Sequence, residues 1–184
     1  MCQQTDVLWP MVSALIACAS VIVSLLIAAW QSGQTRIANS AKMTFDYVNK
    51  FESDEWRLKR AEFSKKLVNS RKLIDLKEDC PVLDFFEEVA FMTRRKILDN
   101  EMVFNSFAWW ILPYYGAIID NPNLLDEARG KDGPLDKYLY CETERLFKEL
   151  SKKYGVYSKE QIAAFLNSEI EQGANDFTKK GQGK

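Results

Sequence analysis

The chain has 184 residues, of which 25 are Lys or Arg and 26 are Asp or Glu, so its formal net charge is −1. This balance disfavours a nucleic-acid-binding protein, which normally carries a clear basic excess. Histidine is absent, which excludes histidine general bases, Ser-His or Cys-His nucleophile pairs and nearly all catalytic zinc sites. The scarcity of Gly (8) and Pro (5) disfavours all-β folds with many tight turns. We expect no nucleic-acid partner, no cofactor and no metal.

An uncharged apolar segment extends from Val7 to Trp30. As a helix rising by about 1.5 Å per residue it would be ~36 Å long, enough to cross a ~30 Å hydrocarbon core. Trp9 and Trp30 lie near its ends, where tryptophan prefers the level of the lipid headgroups. We predict a transmembrane helix over about 7–30, within a membrane anchor of residues 1–35.

Two processing alternatives remain open for this segment. Ala17-Cys18-Ala19 resembles a cleavage site, and the four residues ending at Cys18 resemble a bacterial lipoprotein box. No Lys or Arg precedes the apolar run, which disfavours both alternatives. Basic residues follow it closely, and such residues stay cytoplasmic. We therefore predict a single-pass protein of the inner membrane with its N-terminus outside and its C-terminal domain in the cytoplasm.

Small residues recur at a spacing of four along the predicted span, in the pairs Ser13/Ala17, Ala14/Cys18, Ser20/Ser24 and Ser24/Ala28. That spacing lets two helix backbones approach closely and would support lateral association in lipid. Small residues are also common in membrane helices in general, and the strict GxxxG motif is missing. Both interpretations remain open.

Charge is unevenly distributed after the span. Residues 36–77 hold 11 basic and 6 acidic residues, whereas residues 78–184 hold 14 basic and 19 acidic residues. The basic part is the one that follows the span directly, where anionic headgroups attract Lys and Arg. A chance bias on a solvated helix surface is the alternative explanation.

Residues 36–172 have helical periodicity throughout and predict a small cytoplasmic bundle of four to six helices, giving an all-α fold. The first helix continues from the membrane on an apolar stripe formed by Ile37, Ala41, Phe45, Val48 and Phe51. The next helices are predicted to begin near Asp54, at Pro81 and after an Asp99 cap.

The C-terminal part predicts a loop at 120–134 and a helix from about Leu135 to a Gly155 stop. Ser158 and Gln161 fit a capping box at the start of a last helix. Residues 173–184 contain little to bury, so we predict a disordered tail there.

An uncharged segment from Met102 to Ile119 is long enough to be a second span. Its tryptophans lie at the middle instead of the ends, and acidic residues flank it, which disfavours a span. We predict that it is the buried central helix of the cytoplasmic domain, with a second span or re-entrant element as the alternative. Pro113 is expected to kink or end this helix.

Two groups of side chains are candidates for a functional role. Glu87 and Arg94 lie seven residues apart, on one helix face, beside an apolar stripe. A half-buried Glu87 could act as a general acid or base, but such a residue more often makes a polar contact in helix packing. The aromatic group of Trp109, Trp110, Tyr114 and Tyr115 exceeds what a single buried face needs, which indicates burial on two sides or a protein partner.

The segment Val82–Ala90, the segment Arg94–Asp99 and Trp109-Trp110 together resemble a bacterial family, domain-of-unknown-function family four-seven-six-zero. Members of that family have one N-terminal span and a small helical domain. Asp84 stands where the family pattern has Asn. The resemblance covers about residues 10–120 and implies a bacterial or prophage inner-membrane setting. It does not imply any activity, cofactor or catalytic residue.

These patterns support three functional hypotheses. The first is a non-enzymatic anchored interaction or scaffold module, which binds a protein partner or itself at the cytoplasmic face of the membrane. The second is a membrane-acting effector of a mobile element, in phage defence or superinfection exclusion. The third, an enzyme that uses Glu87, rests on a single carboxylate and has the least support.

Overall fold

The computed structural model describes residues 5–69, 80–120 and 138–181. These residues form six α-helices and contain no β-strand, which confirms the predicted all-α fold. The helices are α1 (Thr5–Glu52), α2 (Asp54–Asn69), α3 (Pro81–Arg94), α4 (Asn100–Ile119), α5 (Cys141–Tyr154) and α6 (Lys159–Gly181). The predicted helix start near Leu135 and nearly all of the predicted 120–134 loop lie outside the described residues.

The chain divides into two units, residues 1–40 and 41–184. The second unit therefore begins about five residues later than the predicted boundary. In the described chain, α1 and α4 are both long and apolar enough to cross a membrane. The apolar window of α1 is fully exposed, whereas 61% of the α4 window is buried. The N-terminal helix is thus a candidate membrane span, and α4 has the burial of a core helix.

Helix α4 begins as predicted, because the Asp99 carboxylate accepts a hydrogen bond from the Met102 backbone N–H at 2.8 Å. It continues through Pro113 to Ile119, so the alternative that the helix ends at this proline is wrong. A proline removes one backbone hydrogen bond and disfavours a helix interior by ~3 kcal/mol. Eleven buried residues of α4, Pro113 among them, supply packing that outweighs this cost.

An aromatic cluster joins α1 to α3 and α4. Phe51 is fully buried, and its ring centroid lies 4.7 Å from that of Phe85 and 5.2 Å from that of Trp110. The core face of α1 also contains the buried Thr44. Phe45, which the predicted stripe placed with Phe51, is instead exposed, because successive residues of a helix lie ~100° apart and Thr44 already occupies the inner face.

Helices α5 and α6 are joined by a short connection whose two ends were predicted correctly. Gly155 follows α5 with φ of 86°, a left-handed conformation that glycine adopts without strain. At the start of α6, the Gln161 N–H donates to Ser158 Oγ at 3.3 Å and the Ser158 N–H donates to Gln161 Oε1 at 2.8 Å. This reciprocal pair is the predicted capping box.

The predicted disordered tail from residue 173 is wrong for the described part of that segment. Helix α6 extends to Gly181, and Gly173 is buried against α2. A Cβ atom at Gly173 would lie 2.3 Å from the Cβ of Ala61. Glycine at this position therefore permits close packing of two helices, and it does not mark the end of the helix.

Candidate functional site

A groove opens on the second unit between α4, α6 and the connection that precedes α6. It has a volume of about 780 Å³, in the range of sites that hold small ligands or the side chains of a partner. Its walls include Trp109, Leu112, Tyr157, Ala164 and Phe165. We call this depression the Trp109 groove. None of the side chains that line it carries a formal charge, so its chemistry suits contact with apolar groups.

Trp109 forms one edge of the groove and is 59% exposed. Its ring meets that of Phe165 edge-on, with centroids 5.9 Å apart and planes at 77°. It makes a second edge-on contact with Tyr157 at 6.4 Å. These contacts fix the indole in place and leave much of its surface open to solvent, although each aromatic pair contributes only ~1 kcal/mol.

The rim of the groove is held by contacts between α4 and the end of α5. The Tyr154 hydroxyl donates a hydrogen bond to Asn105 Oδ1 at 2.8 Å. Lys153 Nζ lies 5.1 Å from the Tyr154 ring centroid and 5.5 Å from the centroid of Phe104. The groove is therefore formed by interactions within the domain, and a ligand would not have to order this rim.

The other predicted interaction aromatics do not reach the surface in the same way. Tyr114 and Tyr115 are fully buried, and Trp110 is partly buried against the core. In this fold the two tyrosines cannot contact a partner, because α4 is covered on both sides. Trp109 is the one exposed side chain of the four, so it alone stays a candidate for contact with a partner. The sequence did not predict that Tyr157 and Phe165 contact Trp109, because no local pattern connects α6 and the residues before it with α4.

Glu87 and Arg94 both contact the first turn of α5 and do not pair with each other. Glu87 accepts hydrogen bonds from the backbone N–H groups of Glu142 (3.1 Å) and Thr143 (2.8 Å), and from the Thr143 hydroxyl (2.8 Å). Arg94 Nε lies 2.9 Å from Glu142 Oε1. Glu87 thus caps the N-terminus of α5, where a carboxylate is favoured by the helix dipole.

Asp84 makes a neighbouring contact between the same two helices. Its Oδ1 accepts a hydrogen bond from the Tyr140 hydroxyl at 3.0 Å. Burial raises the pKa of Asp84 and the Tyr140 hydrogen bond opposes that rise. An aspartate is thus accommodated at the position where the resembling family has Asn.

A buried polar network that the sequence did not predict joins α2, α4 and α6. Arg60 Nε donates to Glu169 Oε2 at 2.7 Å, and Arg60 Nη1 donates to the Phe51 carbonyl at 2.7 Å. The Tyr114 hydroxyl lies 3.0 Å from Ser64 Oγ and donates to Glu169 Oε2 at 3.2 Å. Burial and the negative charge of Glu169 raise the pKa of Tyr114 well above its usual value.

In the described residues, no group of three or more Cys, Asp or Glu side chains is arranged to hold a metal ion. Comparison of the chain with protein-family models, curated proteins and solved structures finds no match. The resemblance to family four-seven-six-zero therefore stays a prediction, and function has to be argued from the geometry of the chain itself.

Proposed function

We propose that this protein is a membrane-anchored, non-enzymatic interaction module. It binds a protein partner, or a second copy of itself, through the Trp109 groove at the cytoplasmic face of the inner membrane. The observation that carries the proposal is the exposed indole of Trp109, held in place at the edge of an uncharged groove. Tryptophan is enriched among the residues that dominate binding energy at protein interfaces.

The groove has two further properties that support protein binding. The edge-on contacts of Trp109 with Phe165 and Tyr157 position the indole before a partner binds, and a preorganised side chain avoids part of the entropic cost of binding. Val156 on the adjoining connection is also largely exposed. An indole beside further apolar surface resembles the composition of interface cores, which are rich in aromatic side chains and poor in charge.

Two observations support the remaining parts of the proposal. The long apolar N-terminal helix is a candidate span, and the basic residues that follow it favour a cytoplasmic second unit. For a non-enzymatic role, the support is that both carboxylate oxygens of Glu87 accept hydrogen bonds from the start of α5. That carboxylate is used as a helix cap.

In-cell photo-crosslinking tests the proposal. With benzoylphenylalanine replacing Ala164 in the groove, we expect one discrete adduct whose mass identifies either a second copy or a single partner. Trp109→Ala on the same background should lower the adduct yield by about tenfold or more, since truncating an interface tryptophan typically costs ≥ ~2 kcal/mol.

The control is Val68→Ala, which removes exposed apolar surface from α2, away from the groove lining. It should leave the adduct yield unchanged. Failure to form any discrete adduct from position 164, in a chain whose circular dichroism matches the wild type, would contradict the proposed function.

A membrane-acting effector is a second candidate, favoured by one feature of α1. Ser20 Oγ donates to the Ala17 carbonyl and Ser24 Oγ donates to the Ser20 carbonyl, each at 2.8 Å. Because these hydroxyls bond within their own helix, a second helix could pack on the small residues without leaving a polar group unpaired in lipid. Replacing Ala14 and Ala17 together by Leu should then abolish membrane depolarisation, while Val23→Leu should not. Depolarisation that survives the double substitution would exclude this candidate.

A further inference from the structure

The turn between α3 and α4 combines exposed cations with exposed apolar side chains. Arg94, Arg95 and Lys96 are consecutive and exposed. Phe91 and Ile97, on either side of them, are 40% and 43% exposed. The guanidinium carbons of Arg94 and Arg95 lie 5.6 Å and 5.3 Å from the Phe91 ring centroid. We call residues 91–97 the basic turn.

The backbone holds the basic turn in one conformation. Lys96 has φ of 57°, in the left-handed region, where Gly or Asn is the usual residue after a helix. The Lys96 N–H donates to the Thr93 carbonyl at 2.9 Å and the Ile97 N–H donates to the Met92 carbonyl at 3.0 Å. A lysine in this left-handed conformation is strained, so the fold alone would favour glycine.

Part of the local charge has a structural use. Arg94 pairs with Glu142, and cations are in general favoured at a helix C-terminus such as that of α3. Arg95 and Lys96 lie further along the turn, and Arg95 packs on an exposed aromatic ring. An exposed cation beside an exposed ring is the composition of segments that contact lipid headgroups.

The second unit includes the part of α1 that follows residue 40. Contacts within this unit place the basic turn near the N-terminal end of that part of α1. Phe85 contacts Phe51, and the Tyr47 hydroxyl donates to Glu88 at 2.6 Å. Further along, the Asp99 N–H donates to Thr44 Oγ1 at 3.2 Å. From α3 to the start of α4, the contacted residues of α1 therefore have successively lower numbers, 51, 47 and 44. The basic turn accordingly ends close to Thr44.

This position ties the basic turn to the bilayer through the covalent chain. Thr44 lies fourteen positions after Trp30, which ends the apolar run. Even fully extended, that length of chain reaches at most ~50 Å, so the headgroups are present at high effective concentration for any arrangement of the two units. Residues 78–184 have an acidic excess overall. They nevertheless contribute a local basic surface close to the part of α1 that follows the predicted span.

We propose that the basic turn is a docking site for the anionic headgroup surface of the bilayer, with Arg95 and Lys96 as its cationic contacts and Phe91 and Ile97 as its apolar contacts. The proposal rests on the membrane anchoring in the proposed function, and it does not depend on the Trp109 groove. Positive charge and exposed apolar surface together match an anionic interface.

Lysine acetylation footprinting of the full chain tests this proposal. The protein is reconstituted in nanodiscs of phosphatidylcholine alone, or of phosphatidylcholine with phosphatidylglycerol, and acetylation of each lysine is followed by mass spectrometry. We expect Lys96 to react about fivefold more slowly in the anionic discs, the factor that corresponds to ~1 kcal/mol for a cation near such a surface. High salt should remove the difference because it screens the headgroup charge.

Variants separate docking from general charge effects. Arg95→Gln and Phe91→Ser should each reduce the protection of Lys96 in anionic discs. Lys152→Gln removes the same charge from the last turn of α5 and should leave that protection unchanged. Equal reactivity of Lys96 in the two kinds of disc would overturn the proposal.

Three further outcomes are informative. Protection of Lys96 that inorganic phosphate reproduces in phosphatidylcholine discs would assign the turn to a free anion and overturn the lipid assignment. A chain that is extracted from membranes by alkaline carbonate would contradict the anchoring on which the proposed function depends. An anchored chain without Lys96 protection would overturn only the docking site.

Discussion

The guanidinium of Arg60 lies 2.7 Å from the carboxylate of Glu169, although the two residues are 109 positions apart in the chain. Both side chains are only 4% exposed. Each charge is therefore removed from water and depends on the other for compensation. This pair attaches α6 to α2 at the centre of the described domain and leads to the first prediction.

Removing one partner of this pair should be much more destabilising than removing both. Glu169→Leu leaves the Arg60 charge buried without its carboxylate, and we expect a loss of ~3–5 kcal/mol in the free energy of unfolding. The double variant Arg60→Met with Glu169→Leu should recover most of that loss. Denaturant unfolding in mild detergent, followed by circular dichroism, measures both values. Equal stability of the single and double variants would contradict this account.

The buried phenol of Tyr114 should make the protein sensitive to alkaline pH. Its pKa is raised in the folded state by burial and by the charge of Glu169, so the folded protein keeps this proton longer than the unfolded chain does. The corresponding stability is complete below the unfolded pKa of about 10 and is lost as pH rises above it. We expect a slope of up to ~1.4 kcal/mol per pH unit from this group.

Tyr114→Phe supplies the matched variant for the alkaline experiment. Near neutral pH it should lower the free energy of unfolding by ~1–2 kcal/mol, since it removes hydrogen bonds with Ser64 and Glu169. Above pH ~10 its stability should fall less steeply than that of the wild type. Parallel curves for the two proteins would show that another group causes the alkaline loss.

The Glu87 cap should stabilise α5 and thereby raise the free energy of unfolding. Glu87→Ala removes the acceptor of two backbone N–H groups and one hydroxyl, and we expect a loss of ~2–3 kcal/mol because these hydrogen bonds are assisted by charge. Glu87→Gln keeps one oxygen acceptor and should lose less. Thermal unfolding of both variants in the same detergent gives the comparison, and Glu171→Ala, at an exposed position of α6, tests for a general effect of a lost negative charge.

Close packing between Gly173 and Ala61 predicts a reciprocal rescue. Gly173→Ala would bring two Cβ atoms to 2.3 Å, so the helices must separate, at a cost of ~1–3 kcal/mol. Adding Ala61→Gly removes the opposing methyl group and should recover most of this loss. Gly33→Ala meets no neighbouring atom and serves as a control. A double variant no more stable than Gly173→Ala would refute the contact as the cause.

The strained turn residue predicts a substitution that stabilises the fold. Lys96→Gly relieves the left-handed conformation and should raise the free energy of unfolding by ~0.5–1 kcal/mol. Lys152→Gly, within helix α5, should instead destabilise by about 1 kcal/mol. If Lys96→Gly destabilised the protein, the lysine side chain would have a structural role in the turn.

Local features of this fold were readable from the sequence because their signals lie within one helical turn. The Asp99 cap, the start of α3 at Pro81 and the Ser158–Gln161 capping box each involve residues at most three positions apart. Side chains that close on their own backbone need no tertiary partner to be recognised. The apolar run of α1 is similarly determined by composition, so a candidate span follows from the sequence alone.

The candidate site could be predicted only in part. The excess of aromatic residues on α4 correctly indicated burial on two sides, but it did not distinguish the exposed Trp109 from the buried Tyr114. That distinction depends on where α6 packs, because Phe165 supports one ring edge-on and also contacts the other. The prediction of a disordered tail was wrong for a related reason. Glycine disfavours a helix when only the local sequence is considered, and the close packing of Gly173 against Ala61 is visible only in the tertiary structure.

Helix content, several helix ends and an apolar N-terminal segment were thus set by the sequence itself, through hydrogen bonds and hydrophobicity that act over a few residues. The partners of Arg60, the exposure of Trp109 and the position of Lys96 beside the start of the domain were decided only by the tertiary structure. These depend on which helices meet, and that choice follows from the summed burial of many side chains that are distant in the chain.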